Sequence, residues 1–382
     1  MTTAVPPKAG LEDVVAASSA ICYLDGARGV LAYRGYDIND LATQATFEEV
    51  CYLLWHGRLP TSAELGGLQS ELAAARPLPE GILRLMRTLP PDNAMDTMRT
   101  LVSALSHYDP LSKDESPEGR YRTSVRLTAQ LASVVATSAR LSAGGGIIAP
   151  DPVLGHAANF LYMLTGQHPS EVNARAFDAS LVLYAEHEMN ASTFTTRVIS
   201  STLSDMHSAV AGGVGALKGP LHGGAGEAVM LTLQEIGRME EVGPFVERTL
   251  AARRRLMGFG HRVYRAGDPR ATILRRLAEE ACRLSGQGLW FEMAVKLHEH
   301  VNAAKGLIPN VDFYSAPLFY ALGIPVDLFT PVIAASRIAG WTSHVLEQHA
   351  DNRLIRPRGA YNGPGRRAFI PLAKRESRPG PE

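Results

Sequence analysis

The chain has 382 residues, 46% hydrophobic and 20% charged, which is more apolar material than one core usually serves and far from the composition of a disordered polypeptide. Its 38 basic and 38 acidic side chains cancel, which argues against general binding to nucleic acid or an anionic membrane and leaves only local anion sites. Three scattered cysteines, Cys22, Cys51 and Cys282, fit neither a disulfide framework nor a metal cluster, and suit a reducing, cytoplasmic setting.

In chain order, Met1 to Gly10 has no apolar run behind Lys8 and reads as a short disordered lead. Between Ile21 and Tyr36 two short β-prone runs flank Asp25-Gly26, which predicts one small hairpin at the N-terminal edge. Helical spacing follows, opened by capping boxes at Thr46-Phe-Glu-Glu49 and Thr61-Ser-Ala-Glu64. The stretch from Pro152 to Ser170 lacks charged residues but contains His, Asn, Gln, Gly and Pro, so it reads as a buried helix, not a membrane span. A helix over 171–186, with Val172, Phe177, Leu181 and Tyr184 on one face, delivers His187 at its end. Glycine-rich polar loops are expected at 212–226, 257–270 and 305–315. Thr330-Pro331 predicts an N-cap with Pro at the first helical position, ahead of a stripe of Ala334, Ile338, Trp341 and Val345. Arg337 falls at the border of that stripe, partly buried and in need of an anionic partner. From Lys374 onward the tail has nothing to pack and is expected to be mobile. The whole reads as an all-α fold.

Familiar motifs are missing. Gly213-Val-Gly215 lacks the third glycine of a dinucleotide fingerprint, there is no P-loop, and neither His187-Glu188 nor His298-Glu299 has the second histidine of a zincin. Three loops remain. In Lys218-Gly-Pro-Leu-His222-Gly-Gly-Ala-Gly226-Glu227 small residues let substrate approach an imidazole, and a helix start behind it favours the neutral ring, a donor to a developing oxyanion. Gly258-Phe-Gly260-His261-Arg262-Val-Tyr-Arg265-Ala-Gly-Asp268-Pro-Arg270 gathers cations that attract carboxylate or phosphate. In Pro309-Asn310-Val311-Asp312-Phe313-Tyr314 apolar neighbours push a carboxyl towards general-base values. Taken singly, each segment also has a plainer reading: a loop histidine bonded to its neighbours, a solvated basic loop, a turn-forming aspartate.

Together, in this order and spacing, KGPLHGGA, GFGHRVYRAGDPR and PNVDFYS resemble the three catalytic loops of the citrate synthase family. The resemblance covers nearly the whole chain, including Tyr33-Arg-Gly-Tyr36, Glu186-His187-Glu-Met-Asn-Ala-Ser-Thr-Phe194, Ser336-Arg337-Ile-Ala-Gly340 and Asn352-Arg-Leu-Ile-Arg356-Pro. It implies a two-domain helical fold, with 1–217 and 316–382 forming a large domain and 218–315 a small one that closes over the active site. It further implies an acyltransferase of the tricarboxylic acid cycle that condenses acetyl-CoA with oxaloacetate and needs no metal or cofactor. By position, Asp312 is then the base that deprotonates the acetyl methyl group, His222 the donor to the thioester oxygen, and His261 the group that activates the oxaloacetate carbonyl. Arg270, Arg337 and Arg356 would clamp carboxylates, with His187 nearby. CoA would lie along Leu256, Met257, Gly258, Phe259 and Gly260, with Arg265 and Lys305 near its phosphates. The family arrangement is a homodimer in which Arg356 serves the neighbouring site. One departure is Gly226, where the family usually has Asn, expected to be a tolerated N-cap. The competing functions are a 2-methylcitrate synthase using propionyl-CoA, a non-catalytic paralogue that binds CoA or organic acids, and a metal site built on His187, His222 and His261.

Overall fold

The computed structural model describes residues 9–11, 14–90 and 93–375. Within them, β1 (Cys22–Asp25), β2 (Val30–Tyr33) and β3 (Tyr36–Asp37) form a small antiparallel sheet in the order 1-2-3, with Asp25 opposite Val30 and Tyr33 opposite Tyr36. The hairpin expected at Asp25-Gly26 is present, and β3 extends it by one short strand. The other regular elements are helical: α1 (Ile38–Gln44), α2 (Phe47–His56), α3 (Ser62–Ala75), α4 (Glu80–Thr88), α5 (Ala94–Leu105), α6 (Pro117–Ser142), α7 (His156–Thr165) and α8 (Glu171–Tyr184). They continue with α9 (Ala191–Ser201), α10 (Met206–Leu217), α11 (Ala225–Ile236), α12 (Val242–Ala251), α13 (Pro269–Leu284), α14 (Gly288–Lys305), α15 (Val311–Ala321) and α16 (Phe329–Ala350). The fold is all-α. No helix among the described residues is long and apolar enough to cross a membrane.

Residues 19–355 form one compact unit, and residues 1–18 with 356–382 another. The described part of the terminal unit is almost wholly exposed, with short 3-10 turns at Ala9–Leu11 and Leu372–Lys374. The expected disordered lead and mobile tail fall largely on 1–8 and 376–382, outside the described residues.

Local sequence explains several helix starts. Thr46 and Glu49 form a reciprocal capping box at α2, and Thr61 and Glu64 do the same at α3. At the centre lies α16, in which every residue from Phe329 to Val345 is buried, so its apolar character wraps all sides and is not confined to a stripe. Its polar residues are satisfied by neighbours: Ser336 Oγ donates to Leu181 O at 2.5 Å, Ser343 Oγ donates to Leu54 O at 2.7 Å, and Thr342 Oγ1 accepts from Trp55 Nε1 at 2.9 Å.

Four expectations need correction. Gly212 to Leu217 is helical, because these glycines serve close helix packing and not a turn. A Cβ at Gly212 would lie 2.2 Å from Ile199 Cδ1 on α9, and one at Gly213 would lie 2.7 Å from Thr196 Oγ1 and 3.1 Å from the Trp341 ring. Helix α16 starts at Phe329 after a 3-10 turn, so Thr330 is not its N-cap; its hydroxyl is diverted to Glu227 Oε1 at 2.6 Å. Val172 is exposed, whereas α8 is buried continuously from Ala176 onward. The 305–315 segment is loop only to Asn310, and Asp312 sits in the first turn of α15.

Candidate active site

His222 sits in a short turn between α10 and α11. Its backbone N–H donates to Gly219 O at 2.8 Å, and the next residue, Gly223, has no room for a Cβ, which would meet Leu217 O at 2.3 Å. Thr330 Oγ1 steadies the far side by accepting from Gly224 N–H at 3.2 Å. The imidazole Nε2 accepts from the Ser192 N–H at 3.2 Å and lies 2.8 Å from Ser192 Oγ, at the first turn of α9. In the neutral ring the proton therefore resides on Nδ1. Burial first, then Arg337, pushes His222 down to about 4.

His261 has the opposite tautomer. Its Nδ1 accepts from the N–H groups of Val263 and Tyr264 at 3.0 and 3.1 Å, which leaves the proton on Nε2. Burial and then Arg270 push it down to about 4, against the pull of Asp268. The His187 ring stands 5.3 Å from that of His261, edge to face, and its Nε2 is 3.2 Å from the Tyr264 hydroxyl. Burial, Arg270 and Arg337 hold His187 well below the ordinary range. Each of His222 and His261 is thus a neutral ring with one fixed N–H to offer, the form in which histidine donates to a developing oxyanion.

Asp312, capped through its N–H by Asn310 at 3.0 Å, is half-buried and has its Oδ1 2.9 Å from the Tyr184 hydroxyl, which is also 2.8 Å from Ser315 Oγ. Burial raises its carboxyl above the usual range, although the Tyr184 hydrogen bond, Arg270 and Arg337 pull the other way. Among nearby cations, Arg270 is paired with Asp268: its Nε and one terminal nitrogen donate to the two carboxylate oxygens at 2.9 and 2.7 Å. Asp268 also caps α13 through Arg270 N–H at 3.1 Å and accepts from Val311 N–H at 3.1 Å, tying the starts of α13 and α15 together. Burial alone would raise the Asp268 carboxyl; the Arg270 guanidinium brings it below the usual range.

Arg337 differs. It is 5% exposed, its Nε donates to Tyr184 O at 2.6 Å, and among the described residues no carboxylate pairs with it within 4.0 Å. A buried guanidinium in that position has the charge and the donors to hold an anion. Behind it the fully buried Glu186 lies 3.2 Å from His344 Nε2, while His344 Nδ1 is 3.0 Å from Arg197.

His187, His222, His261, Asp312, Arg270 and Arg337 therefore converge from five chain segments. The plainer readings do not hold for Asp312 and Arg270: the first is half-buried in the first turn of α15 and bonded to Tyr184, the second is buried against Asp268. Gly226 is not an N-cap: Gly224, with φ +81°, caps α11 and Gly226 is the second helical residue. Among the described residues no three His, Cys, Asp or Glu side chains group as metal ligands.

The segment Leu256–Gly260 is held to the start of α15. Gly260 N–H donates to Ile308 O and Asn310 N–H to Gly258 O, both at 2.9 Å, and Asn310 Nδ2 donates to Gly260 O at 3.0 Å. The side chains of Arg265 and Lys305 are exposed. Arg356 is exposed in the terminal unit. Tyr184, Ser192, Tyr264 and Asp268 also serve the site without a signal of their own in the sequence: Tyr184 lies on the apolar face of α8 and the other three lie within the quoted motifs, so position is visible where partnership is not.

A model described as "Citrate synthase, C-terminal domain" matches residues 10–358. The chain is 48% identical over 374 residues to the citrate synthase of Haloferax volcanii, covering 96% of this chain and 99% of that one. It is 42% identical to 2-methylcitrate synthase 1 of Corynebacterium glutamicum, covering 96% and 98%. Among solved structures, citrate synthase from Pyrobaculum aerophilum superimposes with a TM-score of 0.90 at 40% identity, covering 96% and 95%. A ternary complex of Thermoplasma acidophilum citrate synthase with carboxymethyl coenzyme A and oxaloacetate gives 0.89 at 32% identity, covering 96% and 98%.

Proposed function

This chain belongs to the citrate synthase family and is a transferase of that type, and from that premise we propose that it condenses acetyl-CoA with oxaloacetate and water to give citrate and free CoA. The observation that carries the proposal is the pairing of a half-buried carboxyl with a raised proton affinity, Asp312, with two neutral imidazoles of fixed and opposite tautomer. Such a set serves a reaction in which a carbon acid loses a proton while two oxygens gain negative charge.

In the proposed sequence the Asp312 carboxylate removes a proton from the acetyl methyl group. The Nδ1–H of His222 stabilises charge on the thioester oxygen. The resulting enolate attacks the oxaloacetate ketone, whose oxygen takes a proton from His261 Nε2 as the carbon–carbon bond forms. Water then cleaves the thioester. Arg337, with Arg270, holds the oxo acid's carboxylates, His187 its polar oxygen, and Arg356 from a second copy of the chain completes the clamp in a homodimer. Leu256 to Gly260, Arg265 and Lys305 receive CoA, and the 218–315 segment closes over both substrates. The bound ligands of the Thermoplasma acidophilum enzyme support this choice of substrate classes.

Propionyl-CoA is the second reading. It draws on the similarity to a 2-methylcitrate synthase, and one methylene is worth only about 1–3 kcal/mol in a pocket. The test is release of free CoA, followed with a thiol reagent, for oxaloacetate with either thioester. Faster turnover with acetyl-CoA that collapses in Asp312→Ala is expected. A propionyl preference moves the assignment to 2-methylcitrate synthase, and no release with either thioester overturns the catalytic proposal in favour of a binding paralogue.

A further inference from the structure

The turn between β1 and β2 lies against the segment that follows His261. Gly26 O accepts from Arg265 N–H at 2.8 Å. A Cβ on Gly26 would fall 2.2 Å from the Val263 carbonyl oxygen and 2.7 Å from its carbon, so the two backbones touch with no side chain between them. Gly29, at φ +66°, has its Cβ position 3.0 Å from Gly267 O. The turn is braced from its own side: Asp25 Oδ1 accepts from the N–H groups of Ala27 and Arg28, both at 3.0 Å, and Arg28 Nε donates to Asp25 Oδ2 at 2.7 Å. At its other end the hairpin is anchored by Tyr33, whose buried hydroxyl donates to Glu186 O at 2.8 Å, next to His187.

What the turn touches is the backbone that holds the site. The Val263 and Tyr264 amides are the two donors that fix the His261 ring, and the Tyr264 hydroxyl meets His187. We propose that the β1–β2 turn, through Gly26, is a positioning element for the oxo-acid half of the site, setting the 263–265 backbone and through it the direction and tautomer of His261. Gly26 touches no substrate and acts only through that segment. The inference rests on the function proposed above. It separates the two halves of the reaction, because Asp312 and His222 are held by α15, Tyr184 and α9, none of which the turn contacts through these bonds.

The experiment compares wild type with Gly26→Ala and Arg28→Ala, reading kcat, the KM of each substrate, the thermal midpoint, and amide hydrogen exchange over 263–267. In Gly26→Ala the added methyl displaces the Val263 carbonyl. The expected result is a rise of about tenfold or more in the oxaloacetate KM that clearly exceeds any rise in that of acetyl-CoA, which Arg265 also serves, with faster exchange at Arg265 while the variant remains folded. Arg28→Ala keeps Gly26 and loosens only the brace, so it carries the test if Gly26→Ala does not fold; a smaller rise in the same KM supports the proposal. An unchanged oxaloacetate KM in the folded variants overturns it. So does a parallel loss in both KM values together with the midpoint, since that makes the hairpin merely structural. An inactive wild type instead contradicts the proposed function, while the exchange measurement at 263–267 still reads the contact.

Discussion

Among the described residues Arg337 sits in a buried position without a carboxylate within 4.0 Å, whereas Arg270, a neighbour in the same electrostatic field, is paired with Asp268. Burial pulls the Arg337 pKa down and Glu186 pulls it back up, so the charge is kept at a cost in desolvation. Replacing it with a neutral side chain of similar length should therefore separate stability from function. Arg337→Met is expected to leave the thermal midpoint unchanged or higher while weakening oxaloacetate binding about a hundredfold or more, as read by calorimetric titration. A large fall in midpoint with binding retained would show that the charge serves the fold. Tyr184 makes a second residue-scale case, because its hydroxyl is the main group opposing the burial that raises Asp312. His222 and His261, pushed down to about 4, are neutral near pH 7, and the ionisation that the Tyr184 bond bears on directly is that of Asp312, the base of the proposed reaction. Tyr184→Phe removes the bond that favours the carboxylate, so the acid limb of kcat/KM should move to higher pH. A limb that stays put or moves down contradicts the assignment of Asp312 as the base.

Helices are joined here by buried acids as well as by apolar faces. Asp178 on α8 accepts from Phe47 N–H, the first amide of α2, at 3.1 Å, and Glu48 accepts from His156 N–H, the first amide of α7, at 2.7 Å. Each caps a helix that is not its own, which local sequence does not reveal. Burial and then Glu48 push Asp178 up to about 7, against Phe47 N–H and Arg175. A carboxyl whose folded pKa lies above its ordinary 3.8 contributes stability that is complete below that value and lost as pH rises through about 7. The full span is on the order of 4 kcal/mol. The thermal midpoint should accordingly fall as pH rises from about 4 to about 7 and level off above that, and Asp178→Asn should flatten that slope. A mutant with the same slope as wild type would exclude Asp178 as its source. The elements legible in sequence were those whose determinants are local. Thr46 with Glu49 and Thr61 with Glu64 act across three residues, and Asp25-Gly26 marks its own turn. Thr330 misled because its hydroxyl goes to Glu227, 103 residues away, and the α10 glycines misled because their purpose is contact with α9 and α16.

At the scale of the molecule, the site draws on a helix end at His187, a tight turn at His222, a long loop at His261, a helix start at Asp312 and the central helix at Arg337. The sequence named all of these positions, because short motifs of unusual composition survive as text. It was silent on what holds them, since Tyr184 with Asp312 and Ser192 with His222 are pairs separated by 128 and 30 residues and carry no periodic signal. The proposed reaction makes a carbon–carbon bond and does not merely hydrolyse a thioester. The most direct test is to supply acetyl-CoA labelled with carbon-13 in the methyl group, with and without oxaloacetate, and follow the label by NMR. Condensation puts the label in a methylene carbon of citrate, strictly dependent on oxaloacetate, while labelled acetate appearing whether or not oxaloacetate is present would contradict it.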